Sequence, residues 1–267
     1  MKKTIGFIGA GNMGKAIMKG LLSAQLTTPE QIVVYDAYEP ILAPLHDELG
    51  IRVATSNQDV AQQADMIILA VKPNMITAVL SEMKQAIGKE KVLISIAAGV
   101  TLATIEGALM EQAKVVRVMP NTPALVNAGM SSLSPNTFVT EEEQADVVAL
   151  FKSFGKAQIV PEYLIDAVVG VSGSAPAYVY MFIEALADGA VLAGLTRAQA
   201  YEFAAQTVYG SAKMVLETGQ HPGALKDMVC SPGGTTIAAV HALEKGNFRG
   251  TVMNAVLAAA KKNQELS

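Results

Sequence analysis

An α/β domain built on a doubly wound parallel sheet, followed by an all-helical domain, is the architecture this 267-residue chain predicts. Three observations carry it. Short Val- and Ile-rich runs alternate with helical patterns from the N-terminus to about residue 161. A Gly-x-Gly-x-x-Gly pattern follows the first of those runs. Beyond Pro161 the strand-like runs stop, and Ala, Leu, Met and Gly take over at helical spacing. The expected domains are therefore 1–161 and 162–267, consistent with the roughly 150 residues of an ordinary domain.

The strand candidates are 4–9, 31–36, 66–70, 91–96 and 115–119. Their near-continuous Val, Ile and Leu content is that of parallel strands covered on both faces. Helical patterns near 13–24, 40–49, 75–86 and 101–110 lie between them and imply βαβ units. A hairpin-like "GMSSLSP", a helix from Glu141 and a strand "AQIV" complete the sheet. The second half reads as helices over 163–170, 175–194, 197–217, 234–245 and 248–264. Thr196 is the expected N-cap of the third of these, and Gly194 the stop signal of the second.

Composition narrows the function classes. Hydrophobic residues make up 51% and charged residues 16%, which excludes a disordered chain. A net charge of −4, with no basic run or basic–aromatic patch, argues against a nucleic-acid partner. The single Cys230 cannot form an internal disulfide, which fits a reducing cytoplasm. The N-terminal apolar run is interrupted by glycines too early for a signal peptide. The most apolar later stretch, "YVYMFIEALADGAVLAGL", carries Glu184 and Asp188, which argues against a membrane span. That helix is apolar on almost every side and must be buried somewhere. Burial against a second copy, as an obligate homodimer, is one solution; a central place in its own bundle is the other.

"IGFIGAGNMGKAIMKGLL" supplies Gly9, Gly11 and Gly14 directly after a strand and at the start of a helix. This is the context a dinucleotide fingerprint requires. Gly9 permits the tight turn, Gly11 the close approach of a pyrophosphate, and Gly14 the packing of helix on strand. Ile8, Asn12 and Met13 complete the expected contact, with helix N–H groups and the dipole facing the phosphates. Asp36, 22 residues past Gly14, stands where an acidic residue holds a ribose 2′-OH. No Arg or Lys lies between 32 and 51 to neutralise a 2′-phosphate, so NADH is expected over NADPH. The alternative is that Asp36 merely caps the next turn. "LAVKPNM" brings Ala70, Val71, Lys72 and Pro73 to the end of the third strand, "SIAAGV" brings Ile96, Ala97 and Ala98 to the end of the fourth, and "MPNTPA" brings Asn121 to the end of the fifth. Ligands bind along that edge of such sheets.

The chain lacks an evident strong acid for carbonyl reduction. His46 reads as solvated, His221 precedes a Pro-Gly turn, and His241 lies inside a late helix. No metal-ligand spacing is present, and "SGSAP" is not a nucleophile elbow. An imine, unlike a ketone, can arrive already protonated and needs no strong acid. "VCSPGGTTIAAVHALE" offers what such a substrate requires: N–H groups at a helix start for a carboxylate, and Thr236 for a ring nitrogen. The plain alternative is a helix cap without a ligand.

These segments, together with "AAGVT", "LIDAVVGVSGSAPAY", "EALADGAV" and above all "HPGALKDMVCSPGGTTIAAVHALE", resemble the Δ1-pyrroline-5-carboxylate reductase family from about residue 4 to residue 262. The resemblance implies a Rossmann domain followed by a helical domain that intertwines with its partner's in a homodimer, often within larger rings. It implies hydride transfer from NAD(P)H to C5 of a cyclic imine, giving L-proline. The Ser-Pro-Gly-Gly-x-Thr turn of the family, which holds the substrate carboxylate, maps onto Ser231, Gly233, Gly234 and Thr235. Its final threonine, near the ring nitrogen, maps onto Thr236 as the catalytic contact. Asn57, residues 70–73 and residues 96–98 match cofactor-contacting positions. The acidic Asp36 departs from the small or basic residue of many members, which favours NADH here. Two rivals are weaker. The first is another enzyme on the same architecture, a β-hydroxyacid dehydrogenase or a general imine reductase; a hydroxyacid dehydrogenase would use Lys213 but lacks the companion Asn four residues on, where Glu217 stands. A sensor that only binds NAD would not need a second anion turn.

Overall fold

A computed structural model describes residues 2–266. The chain divides into two compact units. One runs through Gly173 and includes the stretch from Ala259 onward; the other is Ser174–Ala258. The first unit therefore extends past residue 161 before it ends.

The first unit alternates strands and helices in this order: β1 (Ile5–Ile8), α1 (Asn12–Ser23), β2 (Ile32–Tyr35), α2 (Leu42–Leu49), β3 (Arg52–Val53), α3 (Asn57–Gln63), β4 (Met66–Leu69), α4 (Ile76–Met83), β5 (Val92–Ser95), α5 (Leu102–Ala108), β6 (Lys114–Met119), β7 (Gly129–Pro135), α6 (Glu141–Lys152) and β8 (Gly155–Ile159). The sheet order is β3-β2-β1-β4-β5-β6-β7-β8. Every pairing is parallel except β6 with β7, which runs antiparallel with Val116 opposite Pro135. The reversal between β1–β2 and β1–β4 is the switch point of a doubly wound fold. β1, β4 and β5 are buried on both faces, as their unbroken apolar runs require.

Two apolar clusters cover the two faces. One holds Phe7, Ile17, Leu21, Phe151 and Phe154; the other holds Ile8, Ile67, Leu80, Leu93 and Ile105. Gly20 is required for the first: a Cβ there would lie 2.6 Å from the Phe154 Cβ. α6 starts from a capping box between Thr140 and Glu143, with Glu141, Glu142 and Glu143 at the positive end of its dipole. Asn136 ties the antiparallel corner. Its Oδ1 accepts from the Val115 N–H at 3.2 Å, and its Nδ2 donates to Glu106 Oε1 at 2.7 Å and to the Ala113 carbonyl at 2.8 Å.

The expected helix over 163–170 is α7 (Ile165–Val168) followed by a π-helical turn, Val169–Gly173. The second unit contains α8 (Ala175–Leu192), α9 (Arg197–Thr218), α10 (Pro222–Met228), α11 (Thr235–Lys245) and the first part of α12 (Phe248–Leu266). The remainder of α12 packs with the sheet unit, where Asn263 Nδ2 donates to Asp166 Oδ1 at 2.7 Å. Thr196 caps α9 as expected, accepting from the Gln199 N–H, and Gly194 adopts φ +106 just past the end of α8.

The second unit buries little. Its cluster is Ala187, Ala200 and Ala204. α8 leaves Tyr180 60%, Met181 68% and Leu192 91% exposed, so a single chain does not enclose its apolar surface. The alternative of a helix central to its own bundle is thereby ruled out. Residues Glu162–Leu192 are long and apolar enough to cross a membrane by length and composition alone.

Replacing Asn136 with Leu removes four hydrogen-bonding contacts while keeping the volume, and strands the Val115 N–H and the Ala113 carbonyl. We expect a loss of about 2–4 kcal/mol in unfolding free energy. Urea denaturation followed by far-UV circular dichroism checks it; an unchanged midpoint would remove Asn136 from the account.

Candidate ligand-binding site

The site residues of the first unit gather at the carboxyl ends of neighbouring strands. β1 ends at Ile8, and the chain turns at Gly9 with φ +98. A Cβ on Gly9 would lie 2.6 Å from the Ala70 carbonyl oxygen, and one on Gly14 would lie 2.7 Å from the Gly9 carbonyl oxygen. Both glycines are thus demanded by backbone approach. Gly11 differs, because a Cβ there would meet nothing within 4 Å. Gly11 is the N-cap of α1, and no side chain accepts a hydrogen bond from that first turn, Asn12 and Met13 included. Helix starts leave such donors without intrahelical partners, and this one opens at a position with room for a ligand. The residues present therefore fit the pyrophosphate of a dinucleotide.

Asp36 sits just past β2 and does two things. Its Oδ2 accepts from the Ala10 N–H at 2.7 Å, which fixes the glycine turn, and its Oδ1 accepts from the Tyr38 N–H at 2.8 Å. The capping contact proposed as the alternative role for Asp36 is real. Each carboxylate oxygen retains a further lone-pair direction, and the negative charge remains beside the fingerprint turn.

Ala70 is bound to the end of β1 through its N–H to the Ile8 carbonyl at 2.8 Å. Val71 and the exposed Lys72 follow, and Pro73 begins a 3₁₀ turn that Lys72 leads into. Ile96 donates from its N–H to the Leu69 carbonyl at 3.2 Å, and the Ala97 N–H reaches Ser95 Oγ at 3.4 Å. Ala98 precedes Gly99, which has φ +75. These loops follow β4 and β5, the neighbours of β1 on its other side.

Two expected cofactor residues have their side chains engaged. Asn57, at the start of α3, donates from Nδ2 to Glu82 Oε2 at 2.7 Å. Asn121 donates to the Ser172 carbonyl and Oγ, each at 3.2 Å, and accepts from the Met130 N–H at 2.9 Å. Asn121 therefore anchors the π-helical turn to the loop after β6. A sequence offers no signal for such a turn.

The second unit carries the other set. α10 ends at Met228, and the Cys230 N–H returns to the Asp227 carbonyl at 3.0 Å. The Gly234 N–H donates to the Ser231 carbonyl at 3.0 Å, and Gly233 takes φ +68. Ser231 Oγ fills the space a Cβ on Gly234 would occupy. Gly234 then caps α11 with no side-chain acceptor, leaving the first turn, with Thr235 and Thr236, uncapped. α3, α5, α6 and α9 are instead capped by Ser56, Thr101, Thr140 and Thr196. Of the residues considered for acid or base roles, Lys213 pairs with Glu217 at 3.6 Å on the exposed face of α9. His46 is tied to the Ile51 carbonyl at 2.7 Å. Among the described residues no cluster could hold a metal ion.

Comparison with known proteins matches different families to the two ends of the chain. A family model described as pyrroline-5-carboxylate reductase dimerisation matches residues 162–266. One described as NADP oxidoreductase, coenzyme F420-dependent, matches residues 4–99. The pyrroline-5-carboxylate reductase of Escherichia coli is 58% identical over 267 residues, covering 100% of this chain and 99% of that protein. The crystal structure of the Coxiella burnetii enzyme of that name superposes with a TM-score of 0.95 at 37% identity, covering 100% of this chain and 99% of its own. The Plasmodium falciparum pyrroline carboxylate reductase, solved with NADP bound, has a TM-score of 0.88 at 35% identity, covering 99% and 98%. The N-terminal unit is a Rossmann-type nicotinamide-binding domain, the C-terminal region is a self-association domain, and the chain belongs to the pyrroline-5-carboxylate reductase family.

Proposed function

We propose that this chain reduces 1-pyrroline-5-carboxylate to L-proline at the expense of NADH. The observation that carries this reading is the pair of glycine-capped helix starts, at Gly11 and Gly234, that lack any side-chain cap. Each offers backbone donors and the positive end of a helix dipole to an anion. The first suits a pyrophosphate. The second suits the carboxylate of a small cyclic imine, with Ser231, Gly233 and Gly234 shaping the turn, the Gly234 N–H closing it on the Ser231 carbonyl, and the Thr235 and Thr236 N–H groups donating.

A reduced nicotinamide cofactor held at the α1 start would supply a hydride to C5 of the imine and be oxidised in turn; with one proton taken up from solvent at the ring nitrogen, C=N becomes CH–NH. This chain's residues need only bind and orient. The carboxylate on the α11 start fixes which carbon is presented. Thr236 holds the ring nitrogen through its hydroxyl. Hydride addition to a protonated imine discharges a cation, so no strongly acidic side chain is required. Asn57, residues 70–73, residues 96–98 and Asn121 shape the dinucleotide pocket, Asn57 through its bond to the Glu82 carboxylate and Asn121 by fixing the Ser172 carbonyl and the Met130 N–H. The Asp36 charge faces the adenosine ribose and disfavours a 2′-phosphate by like-charge repulsion.

We place the protein in the cytoplasm as an intertwined homodimer, with rings of dimers as the larger assembly. Neither nucleic acid nor a membrane is a partner in this reading. Burial of the exposed α8 side chains against a second copy accounts for their composition.

The reading is checked by following NADH absorbance. Oxidation with pyrroline-5-carboxylate, and none with ketones derived from hydroxyacids, is the expected outcome; no turnover of any imine would refute it. The wild-type kcat/KM should be higher with NADH than with NADPH. Asp36→Asn keeps one of the two backbone acceptors and removes the charge, and should shift the NADPH to NADH ratio upward about tenfold, or about 1.4 kcal/mol. A ratio that stays put would show that Asp36 does not select the cofactor. Thr236→Val should lower kcat about tenfold, the size of one lost polar contact, with the KM for NADH unchanged. Unaltered kinetics would exclude Thr236 from the reaction.

A further inference from the structure

The segment that carries Ser231 to Thr236 hangs from α10, and α10 is weakly held. None of its seven residues is buried. A cavity of ≈ 340 Å³ lies between it and α9, lined by Met214 and Val215 from one helix and by Leu225 and Met228 from the other. A helix this short is marginal on its own. Its start is therefore decisive, and that start is unusual. The N-cap is His221, whose imidazole Nδ1 accepts from the Gly223 N–H at 3.0 Å. Pro222 fills the first helical position, where a missing N–H costs nothing. The Ala224 and Leu225 N–H groups close on the His221 carbonyl at 2.9 and 3.2 Å. Gly223 leaves the ring its place: a Cβ there would lie 2.9 Å from Nδ1 and 3.2 Å from Cε1.

We propose that His221 is a positioning residue for substrate binding: its ring caps α10 and thereby holds the 229–236 turn in the form that receives the carboxylate. This rests on the reading of the Thr235 and Thr236 N–H groups as carboxylate donors. The chain from the cap to that turn is continuous, from α10 through the Cys230 N–H bond to the Asp227 carbonyl and the Gly234 N–H bond to the Ser231 carbonyl. A cap's loss reduces the fraction of molecules in which the turn is formed, and apparent affinity falls by that fraction. The effect falls on the imine and not on the dinucleotide, whose residues lie in the other unit.

The test uses the full-length enzyme with His221→Ala, His221→Asn, Gly223→Ala and the double variant His221→Ala/Gly223→Ala. His221→Ala should raise the KM for pyrroline-5-carboxylate up to about fivefold, the size of one helix cap, leaving the KM for NADH and the kcat unchanged. His221→Asn, a strong capping residue, should restore the wild-type value. Gly223→Ala displaces the ring and should reproduce His221→Ala, yet add nothing in the double variant. Amide hydrogen exchange over 224–236 gives a readout independent of turnover: faster in His221→Ala, normal in His221→Asn. A His221→Asn variant as impaired as His221→Ala, an additive double variant, or unchanged exchange in His221→Ala would each overturn the proposal. Exchange that is faster in His221→Ala and restored in His221→Asn, combined with no turnover of the imine by wild type, would instead refute the substrate reading while leaving the cap intact.

Discussion

At the end of β1 the backbone passes so close to β4 that a Cβ on Gly9 would fall 2.6 Å from the Ala70 carbonyl. That approach constrains everything downstream. It places the start of α1 at the carboxyl edge of the sheet, and it lets the Asp36 carboxylate reach the Ala10 N–H at 2.7 Å. The turn is thus clamped from both sides, by β4 and by the residue after β2. What remains unclamped is the first turn of α1 itself. The same device recurs at α11, where Ser231 Oγ occupies the space of the Gly234 β-carbon. In both places the absence of a side chain keeps helix donors available, while other helices of the molecule spend a Ser or Thr on theirs.

The sheet was largely legible because buried parallel strands cannot avoid an apolar run. β1, β2, β4 and β5 fall inside the stretches the Val and Ile content marks, and β6 begins one residue before its stretch, at Lys114. β3 was not, since two exposed residues, Arg52 and Val53, leave no pattern. α3 is a polar seven-residue helix, NQDVAQQ, with only Val60 and Ala61 buried, and its periodicity is too short to read. α10 was missed for a related reason. It opens with Pro-Gly, a turn signal, and its cap is a histidine and not one of the usual capping residues. Gly9, Gly14 and Gly233 were legible because close backbone approach or a positive φ dictates glycine there, whereas Gly11 was legible from the fingerprint spacing alone. The states of Asn57, Asn121 and Asp36 were not, because a side chain's partner is set by tertiary neighbours such as Glu82, Ser172 and Ala10.

The helical unit shows the complementary limit. α8 is apolar all round, and the sequence alone allows either a bundle core or an interface. Within one chain its buried cluster amounts to three alanines, and aromatic and Met side chains from α8 and α9, such as Tyr180, Met181, Phe203 and Tyr209, remain exposed. Surface of that kind calls for a partner, and the match of residues 162–266 to a dimerisation family supplies one in a second copy. The exposed apolar surface of this region is then a property of the assembly.

The most direct measurement is a crystal structure of the dimer with oxidised cofactor and L-proline bound. The pyrophosphate should lie against the backbone N–H groups of the α1 start and the proline carboxylate against those of Thr235 and Thr236, with C5 of the ring facing the nicotinamide. A carboxylate bound by a cationic side chain elsewhere, with the amides of Thr235 and Thr236 turned to solvent, would contradict this.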